Sequence, residues 1–312
     1  MQLDFIGDVH GHYDELILLL KNLGYRRQKN RWTHSAASLI FLGDLIDRGP
    51  KQRETVELVR ELCDQKIAIC LTGNHEYNAV AFVTPRIDSP NRYVRSHTDS
   101  HILQHKDFLN AFANDQTAYR ETIDWFSNLP LWFETDSVRA VHACWNRAAQ
   151  KTLQPLLNQF NAPNGKSFYE QTGIVNSPTR LAREILLNGV EKNLPNGAQF
   201  TDYYGITRHR IRINWWDKNQ FTYREAAVVD ARQRPLIPDI AMAGGSPSYQ
   251  EKLCFFGHYW MQGKPMIKNQ RAVCLDYSVA LKNGILCAYR FDGENEATNE
   301  NLRWVNRIHE KK

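Results

Sequence analysis

The sequence predicts an α/β fold with a parallel sheet at its core, because short apolar runs alternate with amphipathic helices. The runs at 3–6, 39–42 and 67–71 are short, apolar and followed by polar turns, as buried strands are. Apolar residues at helical spacing predict one helix at about 14–23 and another at about 52–65. Two consecutive strand–helix–strand units imply right-handed crossovers, and therefore parallel strands.

Each of the three runs is followed at once by a cluster of glycine and polar residues. The clusters are Gly7 to His12, Gly43 to Gly49, and Gly73 to Glu76. In open α/β sheets the active crevice lies beyond the carboxyl ends of the strands, so the three clusters are expected to form one site. They contain Asp, His and Asn but no Cys, which suits Mn, Fe, Zn, Co or Mg rather than a thiolate site.

These clusters resemble the signature of the calcineurin-like metallophosphoesterases, and in particular their phosphoprotein phosphatase branch. That branch carries GDxHG, GDxxDRG and GNHE, and the sequence matches all three patterns in this order. The extension Asp47-Arg48-Gly49 is the most specific part, since many other metallophosphoesterases lack it. The match is strong over residues 3–80 and continues more weakly to about residue 291.

The resemblance implies a four-layer α/β/β/α sandwich with two central mixed sheets. We expect one metallophosphoesterase domain over residues 1–312, with insertions at about 84–125 and 146–250. No long linker or internal repeat divides the chain. The insertions are expected to shape access to the substrate site.

Two later strand-like runs also end at a histidine. The run 138–141 leads to His142, and the run 253–256 leads to Gly257 and His258, which resembles the family's late Gly-His motif. The family has His-Gly-Gly or His-Ala-Gly at the first position, so Cys144 departs from the pattern while the histidine is kept. A buried core histidine is the alternative interpretation of His142. A nucleophilic Cys144 is rejected, because no helix N-terminus or base partner supports it.

The resemblance implies metal ligands at these strand ends. Two divalent ions bridged by one carboxylate suit phosphoester cleavage. The residues implied for the first ion are Asp8, His10 and Asp44, and those for the second are Asp44, Asn74, His142 and His258. Mn is the preferred metal, with Fe, Zn, Co, Ni or Mg as alternatives.

The same resemblance implies three catalytic residues. His75 is expected to protonate the leaving oxygen, with Asp47 orienting its ring. Arg48 offers a planar fork to phosphate oxygens, and Asn74 and His75 are also expected to contact the substrate phosphate. A second phosphate-binding arginine is not identified by the motifs, although Arg210 and Arg212 are candidates.

Composition narrows the class of protein further. The 312 residues carry a net charge of +5, which permits an anionic substrate without indicating a nucleic-acid protein. The six cysteines form no C-x-x-C pair and are expected to be buried, reduced thiols in a cytoplasmic protein. No signal peptide is recognised, and no apolar run is long enough to span a membrane.

Several other segments allow more than one interpretation. The spacing of His97, His101 and His105 allows all three to share one face of a helix at about 99–113, as a metal site or a polar surface. Residues 208–216 alternate basic and apolar side chains, which fits either a base-stacking surface or an exposed strand with one buried face. The segment 243–247 is expected to be a loop. The tail at 292–312 is expected to cover the surface or to be partly disordered.

The sequence therefore predicts a dinuclear metal-dependent phosphatase that hydrolyses phosphomonoesters. A Ser/Thr or dual-specificity protein phosphatase is preferred. The alternative is a nucleotide-directed hydrolase, such as a symmetrical dinucleoside tetraphosphatase or a polynucleotide phosphatase. A non-catalytic metal-binding scaffold is disfavoured, because no candidate ligand is missing. The partner is a phosphorylated protein, nucleotide or small molecule; no membrane and no stable nucleic-acid complex are expected.

Overall fold

Two mixed β-sheets form the centre of the protein in a computed structural model that describes residues 2–29, 31–201, 205–217, 222–242 and 251–308. The predicted loop at 243–247 lies outside these residues. The strands are β1 (Gln2–Ile6), β2 (Arg26–Gln28), β3 (Arg31–Thr33), β4 (Ala37–Phe41), β5 (Ala68–Cys70), β6 (Trp132–Glu134), β7 (Val138–Val141), β8 (Glu191–Asn193), β9 (Phe200–Thr201), β10 (Thr207–Arg208), β11 (Arg210–Arg212), β12 (Leu253–Phe256), β13 (Ala272–Cys274), β14 (Asp276–Tyr277), β15 (Ile285–Phe291) and β16 (Leu302–Asn306).

The α-helices surround these sheets and connect most of their strands. They are α1 (Tyr13–Asn22), α2 (Gln52–Asp64), α3 (Asn74–Val83), α4 (Asp99–Ala111), α5 (Gln116–Phe126), α6 (Arg147–Leu153), α7 (Lys166–Gly173), α8 (Pro178–Asn188) and α9 (Tyr223–Ala226). No helix in the described ranges is both long and apolar enough to cross a bilayer.

The first sheet has the strand order β14-β15-β1-β4-β5, and β16 also pairs with β15. Strands β1, β4 and β5 run parallel, as the two predicted strand–helix–strand units require. Strand β15 runs antiparallel to β1, β14 and β16. The sheet is therefore mixed, with its parallel part formed by the three runs that precede the polar clusters.

The second sheet has the order β13-β12-β7-β6. Strand β12 lies parallel to both β7 and β13, and β6 adds an antiparallel edge. The parallel pairing places the carboxyl ends of β7 and β12 side by side. His142 and His258, which follow those strands, are thereby brought to the same edge.

The apolar core lies on both faces of each sheet, because side chains alternate between the two faces of a strand. Phe5 of the first sheet stacks on Phe255 of the second, with ring centroids 4.2 Å apart. The neighbouring residues Ile6 and Phe256 point the other way, into the core shared with the helices. The architecture is thus the expected four-layer α/β/β/α sandwich, and fully burying each such side chain stabilises it by roughly 1.5–3 kcal/mol.

The two predicted insertions contain helices and short hairpins. Segment 84–125 carries α4 and α5, which contact α2 and α3 respectively. Segment 146–250 carries α6 to α9 and has a small apolar cluster of its own, which includes Ile211, Ile213 and Ile237. The division of the chain into one domain with two insertions stays a prediction.

The tail differs from the sequence-based expectation, because it contributes a strand. Strand β16 pairs with β15 from Leu302 opposite Tyr289 to Asn306 opposite Ile285. Leu302 and Val305 are buried, which fixes the strand on the sheet. The polar composition of residues 292–312 concealed this strand, since an edge strand needs only a few apolar side chains on one face.

Candidate active site

Five strand ends from both sheets converge on one buried cluster of polar side chains. The residues placed there are Asp8 after β1, Asp44 after β4, Asn74 after β5, His142 after β7 and His258 after β12. Except for the half-buried Asn74, each of them is less than a tenth exposed. A buried cluster of this composition is suited to binding charge, because its electrostatic interactions are weakly screened.

Asp44 lies at the centre of the cluster. Its Oδ1 is 3.4 Å from His142 Nε2, and its Oδ2 is 3.8 Å from the Nε2 atoms of both His10 and His75. The possible ligand atoms of Asp44, His142 and His258 lie within 4.8 Å of one another, as do those of His10, Asp44 and His75. Burial alone would raise the pKa of Asp44, but the charges of His142, His75 and His10 hold it well below its ordinary value. The carboxylate shared by both groups is therefore Asp44.

Backbone hydrogen bonds orient two of the histidines. His10 Nδ1 lies 2.8 Å from the Ile46 carbonyl oxygen, and His142 Nδ1 lies 2.8 Å from that of Leu42. Each Nδ1–H donates to a carbonyl, which is the usual second contact of a metal-binding histidine, and Nε2 is left as the atom that faces Asp44. His142 Nε2 also lies 3.0 Å from Asn74 Oδ1.

An unsatisfied buried atom supports a cation at this place. His258 Nε2 is buried and has no hydrogen-bond partner among the residues that the structure describes. Burying such an atom without a partner is unfavourable, and a bound cation satisfies it. The oxygen and nitrogen donors therefore fit divalent metal ions.

Asp8 stands outside the two groups of ligand atoms. Both of its carboxylate oxygens accept from the His258 backbone N–H, at 3.1 and 3.3 Å. A Cβ on Gly257 would lie 2.0 Å from Asp8 Oδ1, which explains a glycine before His258. Burial and the charges of Asp276 and Asp44 raise the pKa of Asp8 well above its ordinary value. Buried carboxylates that repel one another in this way are stabilised by a cation between them.

A second feature of the site is a row of three side chains, His75, Asp47 and His105. His75 Nδ1 lies 2.5 Å from Asp47 Oδ2, and His105 Nδ1 lies 2.9 Å from Asp47 Oδ1. Burial lowers the pKa of His75, but the charges of Asp44 and Asp47 raise it above its ordinary value overall. The predicted pairing of Asp47 with His75 is therefore present, with His105 on the opposite side.

The predicted common face of three histidines is wrong. Thr98 caps α4 by accepting from the His101 backbone N–H, so His97 precedes the helix and instead contacts the Phe82 carbonyl oxygen. His101 is half-buried, whereas His105 is buried against Asp47. Of the three histidines, only His101 and His105 lie in α4, and their environments differ.

Arg48 is exposed and has no ion-pair partner among the described residues. Its positive charge acts to lower the pKa values of both Asp8 and His10. Its backbone is in the left-handed region with φ 72°, as are the backbones of His10 at 47°, Asp44 at 53°, Asp47 at 68° and His258 at 71°. Residues other than glycine seldom adopt this conformation, and such strain clusters at functional sites. The turns after the strands are therefore shaped to aim these side chains.

Two residues that the sequence analysis left without a role hold the turns together. Glu76 is buried and accepts from the backbone N–H groups of Asp44, Leu45 and Gly73, at 2.8, 2.8 and 2.9 Å. Gln52 accepts from the Asp47 N–H and donates to the Gly49 carbonyl, both at 2.6 Å. Burial is the main reason that the pKa of Glu76 rises to about 7. Only the position of Glu76 within GNHE could have signalled this role.

The cysteines match their prediction. None of the six forms a disulfide, and all but the half-buried Cys63 are buried. Burial raises the pKa of Cys144 well above its ordinary value, so its thiol stays protonated. The rejection of Cys144 as a nucleophile agrees with this environment.

Only part of the segment 208–216 is a strand with one buried face, namely β11 (Arg210–Arg212). Ile211 and Ile213 are buried, and Trp215 Nε1 donates to the Ala143 carbonyl oxygen at 2.9 Å. Trp215 and Trp216 pack against Phe256 and leave no ring face for a base. The base-stacking alternative for these tryptophans is therefore wrong.

Comparison with known proteins assigns the fold and the strand-end cluster to a family. The sequence model of the calcineurin-like phosphoesterases matches residues 1–168, which is more than half of the chain. The chain belongs to the calcineurin-like phosphoesterase family. The family is named for phosphoester hydrolysis, and the Asp and His donors around Asp44 are of the kind that bind divalent metal ions.

Similar calcineurin-like phosphoesterases act on more than one kind of substrate. The chain is 46% identical over 76 residues to the asymmetrical bis(5'-nucleosyl)-tetraphosphatase PrpE of Halalkalibacterium halodurans, covering 24% of this chain but only 31% of that relative. It is 27% identical over 243 residues to the symmetrical bis(5'-nucleosyl)-tetraphosphatase of Aliivibrio salmonicida, covering 74% of this chain and 72% of the relative. The cold-active protein-tyrosine phosphatase of a psychrophilic Shewanella species shares the fold, with a TM-score of 0.50, 14% identity, and coverage of 98% and 80%.

Proposed function

We propose that this protein is a dinuclear metal-dependent phosphoesterase whose substrates are nucleotides. The observation that carries the chemistry is Asp44, whose carboxylate belongs to both groups of possible metal ligands. Asp8, His10 and Asp44 are the proposed ligands of one ion, and Asp44, Asn74, His142 and His258 those of the other. Two divalent ions, of which Mn is preferred, supply a nucleophile from water at neutral pH and neutralise the charge of the phosphate.

The proton needed by the leaving group comes from His75. Its Nδ1 is held by Asp47 at 2.5 Å, which fixes the ring and leaves Nε2 as the atom that gives up a proton. The pKa of His75 is raised above its ordinary value, chiefly by Asp44 and Asp47 against the effect of burial, so the protonated form is favoured before reaction. Asp47 is a positioning residue in this scheme, and its own position depends on Gln52 and His105.

Two arginines are placed to hold the phosphate group. Arg48 projects from the turn that follows Asp44, and it is exposed and unpaired among the residues described here. Arg212 is the proposed second arginine, because its Nε is buried without a hydrogen-bond partner in the described structure and its guanidinium lies 5.8 Å from the Trp260 ring. Arg210 is less suitable because it is exposed, and it lies closer to Glu191, at 3.5 Å, than Arg212 does, at 3.9 Å. A guanidinium fork binds two phosphate oxygens in one plane.

Nucleotides are the preferred substrate class because a relative that aligns with 74% of this chain is named a symmetrical bis(5'-nucleosyl)-tetraphosphatase. The alternative is a phosphoprotein substrate, which the Asp47-Arg48-Gly49 extension favours through its resemblance to the phosphoprotein phosphatase branch. Both substrates use the same metal ligands and the same proton donor. The two substrates differ in the group attached to the phosphate, so the residues that contact that group determine which substrate is preferred.

A substrate panel tests this proposal. Purified protein with added Mn is assayed for hydrolysis of p-nitrophenyl phosphate, diadenosine tetraphosphate and a phosphoserine peptide, with Asp44→Asn as the inactive control. We expect hydrolysis of the aryl phosphate and a higher kcat/KM for diadenosine tetraphosphate than for the peptide. A higher kcat/KM for the peptide would replace the nucleotide assignment by the phosphoprotein one. Absence of hydrolysis of all three would contradict the phosphoesterase proposal.

A further inference from the structure

A large basic cavity opens beside the strand-end cluster. Its volume is about 1050 Å³, and seven arginines line it together with two glutamates. Three of these arginines come from the segment that follows α3, two from α8 and two from β11, so both predicted insertions form its walls. A cavity larger than the ~300–1,000 Å³ of common ligand sites has room for more than a single phosphate group.

The cavity is continuous with the catalytic elements. Tyr77 and Asn78 on its wall belong to α3, the helix that begins with Asn74 and His75. Arg212 on the opposite wall lies beside Trp260, two residues beyond His258. A ligand bound in this cavity can therefore reach the proposed phosphate site with one end.

Five of the seven arginines of the cavity make ion pairs with Asp88, Glu184 or Glu191, whereas Arg92 and Arg95 make none among the described residues. Arg183 is nine-tenths buried and lies 4.3 Å above the Tyr77 ring, while its contacts with Glu184 and Asn188 are both 3.4 Å long. Its Nε has no partner among the described residues, and neither has that of Arg95. Arg92 makes no ion pair in the part of the chain that the structure describes. Buried guanidinium donors without partners are unfavourable, and an anion with several oxygens satisfies them.

Aromatic rings stack at the rim of the same cavity. His97 lies between Phe82 and Tyr93, with ring centroids 3.8 and 4.2 Å away and interplanar angles of 22° and 11°. Tyr93 ends the stack and is 39% exposed. Its loop is held by backbone hydrogen bonds from Val94 to Thr84 and from Arg95 to Ala81, so the ring is preorganised. An exposed ring at the end of a rigid stack is a platform for another flat ring.

We infer that this cavity is a recognition subsite for the distal part of a nucleoside polyphosphate, with Arg92, Arg95 and Arg183 binding the phosphate chain and Tyr93 stacking on the base. The inference rests on the proposed function, since it places the reacting phosphate at the strand-end cluster. The Nε donors of Arg95 and Arg183 have no partner in the described structure, and they lie close to a flat aromatic platform. This combination distinguishes a nucleotide from inorganic polyphosphate, which needs only the charges. The aromatic platform also distinguishes the nucleotide from a phosphopeptide, which has no base to stack on it.

Binding to metal-free protein tests the subsite without relying on catalysis. Affinities for ADP and for inorganic tripolyphosphate are measured by titration calorimetry in the presence of a chelator. We expect Tyr93→Ala to weaken ADP binding by roughly five- to hundredfold, the usual range for a lost stacking contact, and to leave tripolyphosphate binding unchanged. Tyr93→Phe keeps the ring and should bind ADP as the wild type does.

The arginine variants test the other half of the subsite. Arg92→Gln and Arg183→Gln should each weaken the binding of both ligands about tenfold, the usual loss for one charge-assisted hydrogen bond. Arg60→Gln is the matched control, because Arg60 is exposed on α2 beside Glu121 and does not line the cavity. If Arg183→Gln does not fold, Arg92→Gln alone decides, since its side chain is exposed.

The outcomes separate this inference from the proposed function. Unchanged ADP affinity in Tyr93→Ala, or unchanged tripolyphosphate affinity in the arginine variants, would overturn the subsite. Hydrolysis of p-nitrophenyl phosphate by the wild type with Mn is measured on the same preparations. Failure of that hydrolysis would reject the phosphoesterase proposal, while the binding data would still decide whether the cavity recognises a nucleotide.

Discussion

His105 Nδ1 lies 2.9 Å from one oxygen of Asp47, and the other oxygen of that carboxylate holds His75. His105 belongs to α4, which lies in the segment predicted to be an insertion. The orientation of the proposed proton donor therefore depends on a helix outside the strand-end motifs. His105 is only 2% exposed and Asp47 only 3% exposed. Because both are buried, water is a poor replacement for this hydrogen bond.

Replacing His105 by alanine should lower kcat with little change in KM, because Asp47 loses one of the two contacts that fix it. The loss should be greater for an alkyl phosphate, whose leaving group needs a proton, than for p-nitrophenyl phosphate. His105→Asn keeps an N–H donor near the position of Nδ1 and should recover part of the activity. An equal loss for both substrates, without recovery in His105→Asn, would show that His105 has only a structural role.

His75→Ala should retain the metal ions and lose turnover. A positioned general acid contributes a factor of roughly 10²–10⁴ to the rate, so the loss for an alkyl phosphate should fall in this range. Activated aryl phosphates should be affected less. Metal content measured by elemental analysis is the necessary control, since loss of metal from this variant would identify His75 as a ligand. The position of His75 in one of the two ligand groups makes this control decisive.

Removal of divalent metal should abolish hydrolysis of an aryl phosphate, and Mn should restore it. The reason is the set of buried donors around Asp44, which include an unsatisfied histidine nitrogen. The chelator saturated with calcium beforehand is the control for effects of the chelator itself. Full activity in a sample shown by elemental analysis to contain no metal would contradict the dinuclear proposal.

Arg48→Lys should weaken product inhibition by inorganic phosphate although the charge is kept. Lysine cannot place two donors in one plane against two phosphate oxygens. The variant should fold normally and keep its metals, because the side chain of Arg48 is exposed. If the melting temperature or the metal content falls while phosphate inhibition is unchanged, Arg48 supports the loop instead. Measuring all three on one preparation separates these outcomes.

The sequence predicts the parallel core well, because the core depends on local patterns. The same patterns place the candidate site residues at the strand ends, while the roles of these residues stay predictions. The runs before Gly7, Gly43 and Gly73 are apolar enough to be recognised as buried strands, and each is present close to its predicted bounds. The glycine and polar residues that follow each strand must then lie just beyond the end of that strand. The contact of His142 with Asp44 could only be expected from the resemblance, since a core histidine has the same local pattern.

What the sequence does not predict depends on contacts between distant segments. His105 contacts Asp47, which lies 58 residues earlier in the chain. This contact forms only because α4 packs against the turn that follows β4. The basic cavity requires the segment after α3, α8 and β11 to meet, although none of them carries a recognisable motif. Strand β16 was missed because pairing with β15 supplies the stability that its few apolar residues do not.

The proposed metal ligands come from both halves of the sandwich: Asp8, Asp44 and Asn74 follow strands of the first sheet, whereas His142 and His258 follow strands of the second. Ions bound at these residues would therefore link two sheets that are otherwise joined by apolar packing. Because such ions bind only to the folded state, they would stabilise it by about 2.7 kcal/mol at a free concentration one hundred times their dissociation constant. Metal supply would therefore set the resistance of the protein to unfolding and degradation as well as its rate of turnover.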